Sequence, residues 1–318
     1  MRTYVVTGCA GFIGSHLTEA LLRRGDSVVG IDSFTDYYAR ELKEGNLDCF
    51  REDDRFRFVE ADLTSEPLGE LIGRVEGVFH LAAQAGVRGS WGETFSVYAR
   101  DNIIATQRLF EAASAAGTRV VWASTSSIYG NAEGFPTRED ARPQPISPYG
   151  VTKLGCESLS SAYATSFGLD QVAMRYFTVY GPRQRPDMAF TRVIRALESG
   201  ELFHVFGTGE QSRDVTYVGD AVSATIAAME SAPSGRVYNV GGGSEASLND
   251  VIALCEEFSG RELNRIQEDV AAGDVKRTSA DTSRIRNELN WAPRTSLEDG
   301  LRAHLAWGGL ARVPDLAG

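Results

Sequence analysis

TYVVTGCAGFIGSHL, residues Thr3 to Leu17, decides the fold. Its first part, Thr3–Thr7, is a short apolar, β-branched run of the kind that forms a strand covered on both faces. An amphipathic pattern at helical spacing then covers residues 13–24, and the two are joined by Gly8-Cys9-Ala10-Gly11-Phe12-Ile13-Gly14. Each glycine has a separate task at this spacing. Gly8 permits the tight turn, Gly11 lets a pyrophosphate approach the backbone, and Gly14 allows the helix to pack closely on the strand. The free amides at the helix start then face an anion.

The second strand closes the pattern. Ser27–Asp32 reads SVVGID, and Asp32 lies 18 residues beyond Gly14. An acid at that place accepts hydrogen bonds from ribose hydroxyls and repels a 2′-phosphate, which points to NAD rather than NADP. Ser33 follows, with no arginine to receive such a phosphate. Asp62 ends the third strand with two readings open, a contact to the adenine or a cap on the strand end.

Further strands are expected over residues 56–62, 77–82, 119–124 and 171–177, alternating with helical patterns over 95–116 and 149–167. That rhythm predicts an α/β fold with a doubly wound parallel, Rossmann-like sheet. It weakens after Tyr180, where YGPRQRPDM leaves the first domain. A helix over Ala189–Ser199 and a strand over Phe203–Phe206 begin a smaller, discontinuous C-terminal α/β substrate domain. The expected division gives residues 1–178 plus about 214–241 to the dinucleotide-binding domain. Residues of about 179–213 plus 242–318 form the substrate domain.

Composition excludes several classes. The 318 residues carry 32 Lys and Arg against 43 Asp and Glu, a net charge of −11. A nucleic-acid protein needs a basic face, so none is expected as a partner, nor is an anionic membrane surface. No apolar run approaches the roughly 20 residues of a membrane span. MRTYVVTG runs straight into a strand, so no leader is expected. The four cysteines are irregularly spaced without a CxxC pair, which predicts reduced thiols in the cytoplasm. The four histidines form neither HxxxH nor HExxH, and no metal is expected. His16 and His80 read as packed structural residues and Cys9 as a small packing residue.

SPYGVTK, residues 147–153, carries candidate chemistry. Ser147 can cap a helix with Pro148 in its first turn. Tyr149 and Lys153, four apart, then share one helical face. An ammonium beside a phenol lowers the phenol's pKa from about 10 and makes Tyr149 a base. The strand before this helix runs into Ser124-Thr125-Ser126-Ser127-Ile128-Tyr129-Gly130, whose hydroxyls emerge at the carboxyl edge of the sheet, where ligands bind.

TGCAGFIGSHL, HLAAQAGVR, STSSIYG, SPYGVTK and RYFTVYGP together resemble the extended short-chain dehydrogenase/reductase family of NAD-dependent nucleotide-sugar epimerases and dehydratases. GIDSFTDYY, HLAAQAGVRGS, NAEGFPTRED and TVYGPRQRPDMAF are similar to its UDP-glucuronate 4-epimerase branch. The resemblance implies NAD held through the cycle, a UDP-sugar substrate (UDP-glucuronate or UDP-galacturonate) and a homodimer formed through the helices of 95–116 and 149–167. It casts Tyr149 as the base for the sugar 4-hydroxyl, assisted by Lys153, with Thr125 bonded to O4. Phe12, Ile13, Leu63, Leu81, Ala82, Ala83 and Tyr176 join the implied cofactor set, and Asn102 secures backbone nearby.

Departures from the family choose among its branches. Dehydratases carry an Asp-Glu pair after the threonine and decarboxylases a glutamate two residues after it; this chain has Ser126 and Ser127. Without those acids a 4,6-elimination lacks its proton donor and base. An epimerase of a uronate must also hold the carboxylate of a β-keto acid against loss of carbon dioxide, and the serines offer neutral hydrogen bonds for it. Arg185 matches a carboxylate-facing arginine, with Arg192 and Arg88 as weaker candidates. A guanidinium would fix orientation as well as charge; the plain alternative is a solvated loop and helix face. Thr178 stands where UDP-galactose epimerases have asparagine. Arg213 and Arg277 fit pyrophosphate contacts, Asp274 the uridine ribose, and Val205 and Phe206 the uracil. The competing readings are a 4-epimerase of a neutral or N-acetylated UDP-hexose, a UDP-glucuronate decarboxylase, and a non-catalytic NAD-binding sensor on the same fold.

Overall fold

The apolar run at the N-terminus forms β1 (Thr3–Thr7), and the glycine loop leads into α1 (Phe12–Arg23). The structure is a computed structural model that describes residues 1–269, 273 and 275–310. The chain continues through β2 (Ser27–Asp32), α2 (Arg40–Gly45), β3 (Phe56–Glu60), α3 (Gly69–Ile72) and β4 (Gly77–His80). Next come α4 (Phe95–Tyr98), a π-helical turn (Ala99–Ile104), α5 (Ala105–Ala116), β5 (Val120–Thr125), α6 (Pro148–Phe167) and β6 (Gln171–Tyr176). The later elements are β7 (Thr178–Tyr180), α7 (Ala189–Ser199), β8 (Phe203–Phe206), β9 (Ser212–Tyr217), α8 (Val218–Ser231) and β10 (Arg236–Val240). β11 (Ser244–Ser247), α9 (Leu248–Ser259), β12 (Arg265–Glu268), α10 (Ser283–Leu289) and α11 (Leu297–Trp307) complete the described chain.

Seven strands form one parallel sheet in the order β10-β6-β5-β4-β1-β2-β3. The order reverses beside β1, which opens the crevice where a doubly wound sheet binds its ligand. Helices cover both faces. Tyr4, Leu17, Leu21, Phe79, Ala224 and Tyr238 pack on one side, and Leu109, Phe110, Ala113, Trp122 and Cys156 on the other. Burying each large apolar side chain contributes about 1.5–3 kcal/mol. Trp122 also satisfies its indole N–H, which donates to Gln171 Oε1 at 2.9 Å.

A second core, built from Tyr180, Phe190, Val193, Val215, Val251 and Leu305, lies under a three-stranded sheet, β11-β9-β7, and a two-stranded one, β12-β8. The chain passes between the large sheet and the three-stranded sheet at short junctions. Phe177 alone separates β6 from β7, β9 runs directly into α8, and residues 241–243 join β10 to β11. In the segment from Asp214 onward, β9 pairs with β7 and β11, α8 packs on the large sheet, and β10 joins that sheet beside β6.

One expected element differs in form. The helix over 95–116 is interrupted by the π-turn, and the cause is Asn102. Its Oδ1 accepts from Gln84 N at 2.8 Å, while Nδ2 donates to Gln84 O at 3.0 Å and to Thr152 Oγ1 at 2.9 Å. The wider turn turns that amide inward to pin the loop after β4, a use typical of π-bulges near functional sites. Among the described residues no helix is long and apolar enough to cross a membrane. The four cysteines are unpaired.

His80 is sealed between Thr7 Oγ1 at 2.8 Å and Thr106 Oγ1 at 3.0 Å. Burial, with Lys153 assisting, pushes its pKa down to about 3. Burial also lowers His304 to about 3 and His16 to about 4. These three histidines thus bind fewer protons in the folded protein than in the unfolded chain below pH of about 6.5. Stability present above that pH is lost as the pH falls, by up to about 1.4 kcal/mol per pH unit for each titrating histidine. Urea unfolding between pH 7.5 and 4.5 should show this slope, and His80→Gln should make it shallower by about one proton's worth. An unchanged slope would mean that His80 is not held neutral.

Candidate active site

Gly8 takes φ +70°, and its N–H donates to Ile31 O at 2.7 Å, which turns the chain sharply off β1. A Cβ on Gly8 would stand 2.8 Å from Ala82 N, and one on Gly14 only 2.0 Å from Gly8 O. α1 therefore seats directly on the end of the strand, as the glycine spacing predicts. Gly11 caps α1 without a side-chain hydrogen bond, and the first turn carries no acid. Those amides and the positive end of the helix face the cavity and suit a diphosphate.

Asp32 accepts from Ala10 N at 3.1 Å and from Phe34 N at 3.0 Å. Burial raises its pKa, against the Phe34 bond and the nearby Lys43 charge. Lys43 is a residue the sequence did not single out. It reads as part of a solvated RELKEG run, yet it is buried and donates to Thr35 O and Thr35 Oγ1. An acid beside a cofactor pocket with no cation assigned to it was the available signal. Asp62 caps the turn after β3 and stands at the cavity wall. Its Oδ1 accepts from Thr64 N at 2.8 Å and Thr64 Oγ1 at 2.7 Å, and the residue also lines the cavity.

Thr125 ends β5, where its Oγ1 accepts from Ser127 N at 3.1 Å and donates to Ser127 Oγ at 3.2 Å. α6 starts as expected, with Ser147 Oγ accepting from Gly150 N and Pro148 in the first turn. Lys153 Nζ donates to Ala123 O at 2.9 Å, which leaves N–H groups for a ligand hydroxyl. Burial raises the Tyr149 phenol; the Arg185 guanidinium and the Thr125 hydroxyl oppose it. The Arg185 guanidinium is a cation acting on the Tyr149 phenol in this geometry, while the Lys153 ammonium donates to the β5 carbonyl one turn along the helix. Behind these groups, Glu157 two turns along α6 accepts from Ser124 Oγ at 2.6 Å and from Arg175 Nε at 2.9 Å and Nη2 at 2.7 Å. Arg175 Nη1 donates to Tyr129 Oη at 2.6 Å, which donates to Asn239 Oδ1 at 2.7 Å.

One cavity of about 960 Å³ runs from the glycine loop across Tyr149 to β8. Most of the expected residues line it: Gly8, Gly11, Phe12, Ile13, Gly14, Asp32, Ser33, Asp62, Leu63, Leu81, Ala82, Ala83 and Tyr176 at one end, Thr125, Tyr149 and Lys153 in the middle, and Arg88, Ser126, Ser127, Thr178, Arg185, Arg192, Phe206 and Arg213 beyond. Arg88 stacks on the Phe206 ring at 4.4 Å and Arg192 on Phe203 at 5.3 Å. Arg213 Nη1 donates to Ser212 O at 2.9 Å. Two residues stand outside the cavity wall. Val205 points into the second core because side chains alternate along β8. Arg277 is held by Glu245 through two bonds of 2.7 Å and lies on Phe135. Asp274 lies outside the described residues.

The pattern of the family described as the NAD dependent epimerase/dehydratase family matches residues 4–241. A UDP-glucuronate 4-epimerase of Thermodesulfobacterium geofontis is 40% identical over 313 residues, 96% of either chain. YtcB of Bacillus subtilis, described as an uncharacterized UDP-glucose epimerase, is 45% identical over 306 residues, 95% of this chain and 96% of that one. Among solved structures, the UDP-glucuronic acid 4-epimerase of Bacillus cereus, in complex with UDP-glucuronic acid and NAD, superposes with a TM-score of 0.94. That pair is 42% identical and covers 96% of this chain and 99% of that one. With the family pattern running from β1 to just past β10, and relatives this similar over nearly the whole length, the chain belongs to the NAD dependent epimerase/dehydratase family.

Proposed function

We propose that the protein is an NAD-dependent nucleotide-sugar 4-epimerase that interconverts UDP-glucuronate and UDP-galacturonate. The observation that carries this reading is one cavity in which Tyr149, Lys153 and Thr125 stand beside Arg185, Ser126, Ser127 and Thr178. The first three can move a proton at a sugar hydroxyl. The others can hold a carboxylate, and neither Ser126 nor Ser127 supplies the acid that dehydration or decarboxylation calls for.

The capless start of α1, the close Gly8–Gly14 contact and Asp32 fit a dinucleotide with a free 2′-hydroxyl. When bound, NAD supplies a hydride acceptor that returns the hydride, with a positive ring that favours a phenolate nearby. Tyr149 takes the proton from the 4-hydroxyl as C4 is oxidised, and Thr125 holds O4. Lys153, anchored on the β5 carbonyl, orients the ribose hydroxyls with its remaining N–H groups, and the Arg185 guanidinium favours the phenolate. The 4-keto sugar turns over in the cavity and its opposite face is reduced, with Tyr149 returning the proton; C4 is inverted with no net redox change. Arg185, Ser126, Ser127 and Thr178 keep the carboxylate from turning perpendicular to the C4 carbonyl, the geometry that releases carbon dioxide. Arg213 suits the diphosphate, and Arg88 and Arg192 stand on the same wall of the cavity as further substrate-facing cations. A homodimer belongs to the same reading, supported by exposed Phe95, Val97, Ile104 and Val151 on the helices that would pair. Four unpaired thiols suit a reducing cytoplasm.

Proton NMR of the protein with UDP-glucuronate tests the reading: UDP-galacturonate should appear without reductant or metal. A UDP-pentose would favour a decarboxylase, and unchanged substrate would remove the uronate assignment. Tyr149→Phe should lower kcat by about 10²–10⁴-fold while UDP-glucuronate still binds. Asp32→Ser should weaken NAD by about tenfold or more through loss of charge-assisted hydrogen bonds, and narrow the preference over NADP. Nucleotide fluorescence titration reads this directly, and equal NAD affinity would exclude Asp32 from the ribose.

A further inference from the structure

Asp187 has no part in the chemistry above, yet it is the group that Arg185 grips. Arg185 Nε donates to Asp187 Oδ1 and Nη2 to Oδ2, both at 3.0 Å. A guanidinium has five N–H bonds in one plane, and this side-on fork uses two of them. Of the remaining three, two point off the Nη1–Nη2 edge, where a second carboxylate can dock end-on, and the third lies on the Cδ side. Asp187 is itself braced, because Tyr37 Oη donates to its Oδ2 at 3.1 Å. Burial raises the Asp187 carboxyl, but Arg185 and the Tyr37 bond hold it below the ordinary range, so it stays ionised. Tyr37 reaches this position over Gly86, where a Cβ would lie 2.3 Å from the phenol oxygen. Tyr37, Gly86, Arg185, Asp187 and Tyr149 all border the same cavity.

We propose that Asp187, braced by Tyr37, is a positioning residue that aims the outer edge of Arg185 at the sugar carboxylate and thereby favours epimerisation over decarboxylation. The inference rests on the uronate reading above. An unanchored arginine samples many rotamers; one forked onto a fixed carboxylate presents a single plane. A carboxylate gripped in that plane cannot align its C5–C6 bond for cleavage. If it slips, the C5–C6 bond breaks and carbon dioxide leaves. The electron pair becomes a C4–C5 enolate, C5 takes a proton from solvent, and return of the hydride to C4 gives a UDP-pentose. Asp187 also offsets much of the guanidinium charge, so the site gains orientation and gives up attraction. Its removal should therefore lower kcat and leak pentose without raising KM. A residue that only shaped the loop would weaken binding instead.

The test compares wild type, Asp187→Ala and Tyr37→Phe on UDP-glucuronate, resolving UDP-galacturonate from UDP-pentose by NMR and measuring UDP-glucuronate binding by calorimetry. Asp187→Ala should lower epimerisation kcat about tenfold, make UDP-pentose a readily detected product, and leave Kd no weaker. Tyr37→Phe, a smaller lesion, should shift the product ratio the same way by less. A wild-type product ratio in both variants, or a raised Kd with no pentose, overturns the positioning role. If the wild type leaves UDP-glucuronate unchanged, the uronate reading fails first and this inference goes with it.

Discussion

Glu157 and Arg175 form an ion pair whose side chains are only 10% and 6% exposed, and the position of α6 depends on it. Two charges withdrawn from water are tolerated only when both ends are fully bonded, and removing one partner of such a pair costs about 3–5 kcal/mol. Here the bonds reach Ser124 on β5, Tyr129 in the following loop and Asn239 on β10. The pair therefore fixes α6 against three parts of the fold at once. Tyr149 and Lys153 begin that helix, while Thr125 follows Ser124 on the strand. The separation of base, ammonium and hydroxyl is set by a contact that touches no ligand.

The cavity solves a charge problem. A chain with a net charge of −11 has to attract a substrate class that is itself anionic. It does so locally, by bringing Arg88, Arg185, Arg192 and Arg213 to one end of the site. Burial and the neighbouring Arg88 both lower the Arg192 pKa, a sign that the cations are crowded before any anion arrives. Phe206 and Phe203 lie under two of these guanidinium groups, those of Arg88 and Arg192, and their faces help keep the cations flat.

What could be read in the sequence was local. The glycine loop, Asp32 and the capped start of α6 are legible because turn chirality, close backbone approach and capping act within a few residues. The main sheet was legible because its buried strands are apolar throughout. The details that were not legible depend on distant partners. Nothing near Arg277 says that Glu245 will hold it, since the two meet through the pairing of β11 with β9 and the bridge from Ser212 to Arg277. Val205 and Phe206 look alike in HVFG until the pleat of β8 separates them. The π-turn follows from Asn102 reaching Gln84 across the fold, and Lys43 looks solvated until Asp32 and Thr35 are seen beside it.

The junctions between the two sheets carry an evolutionary consequence. Tyr176 borders the cofactor end, Thr178 the sugar end, and Phe177 alone lies between them, its N–H donating to Val240 O at 3.0 Å. With β9 passing straight into α8 and three residues joining β10 to β11, these three crossings are too short to serve as movable linkers. A foreign sugar-binding module grafted at Phe177 would cut straight through the reaction chamber, which that residue lines. A change of sugar is open instead to single side chains along β7, the loop after it and the serine turn, which border the chamber apart from the glycine loop and Asp32.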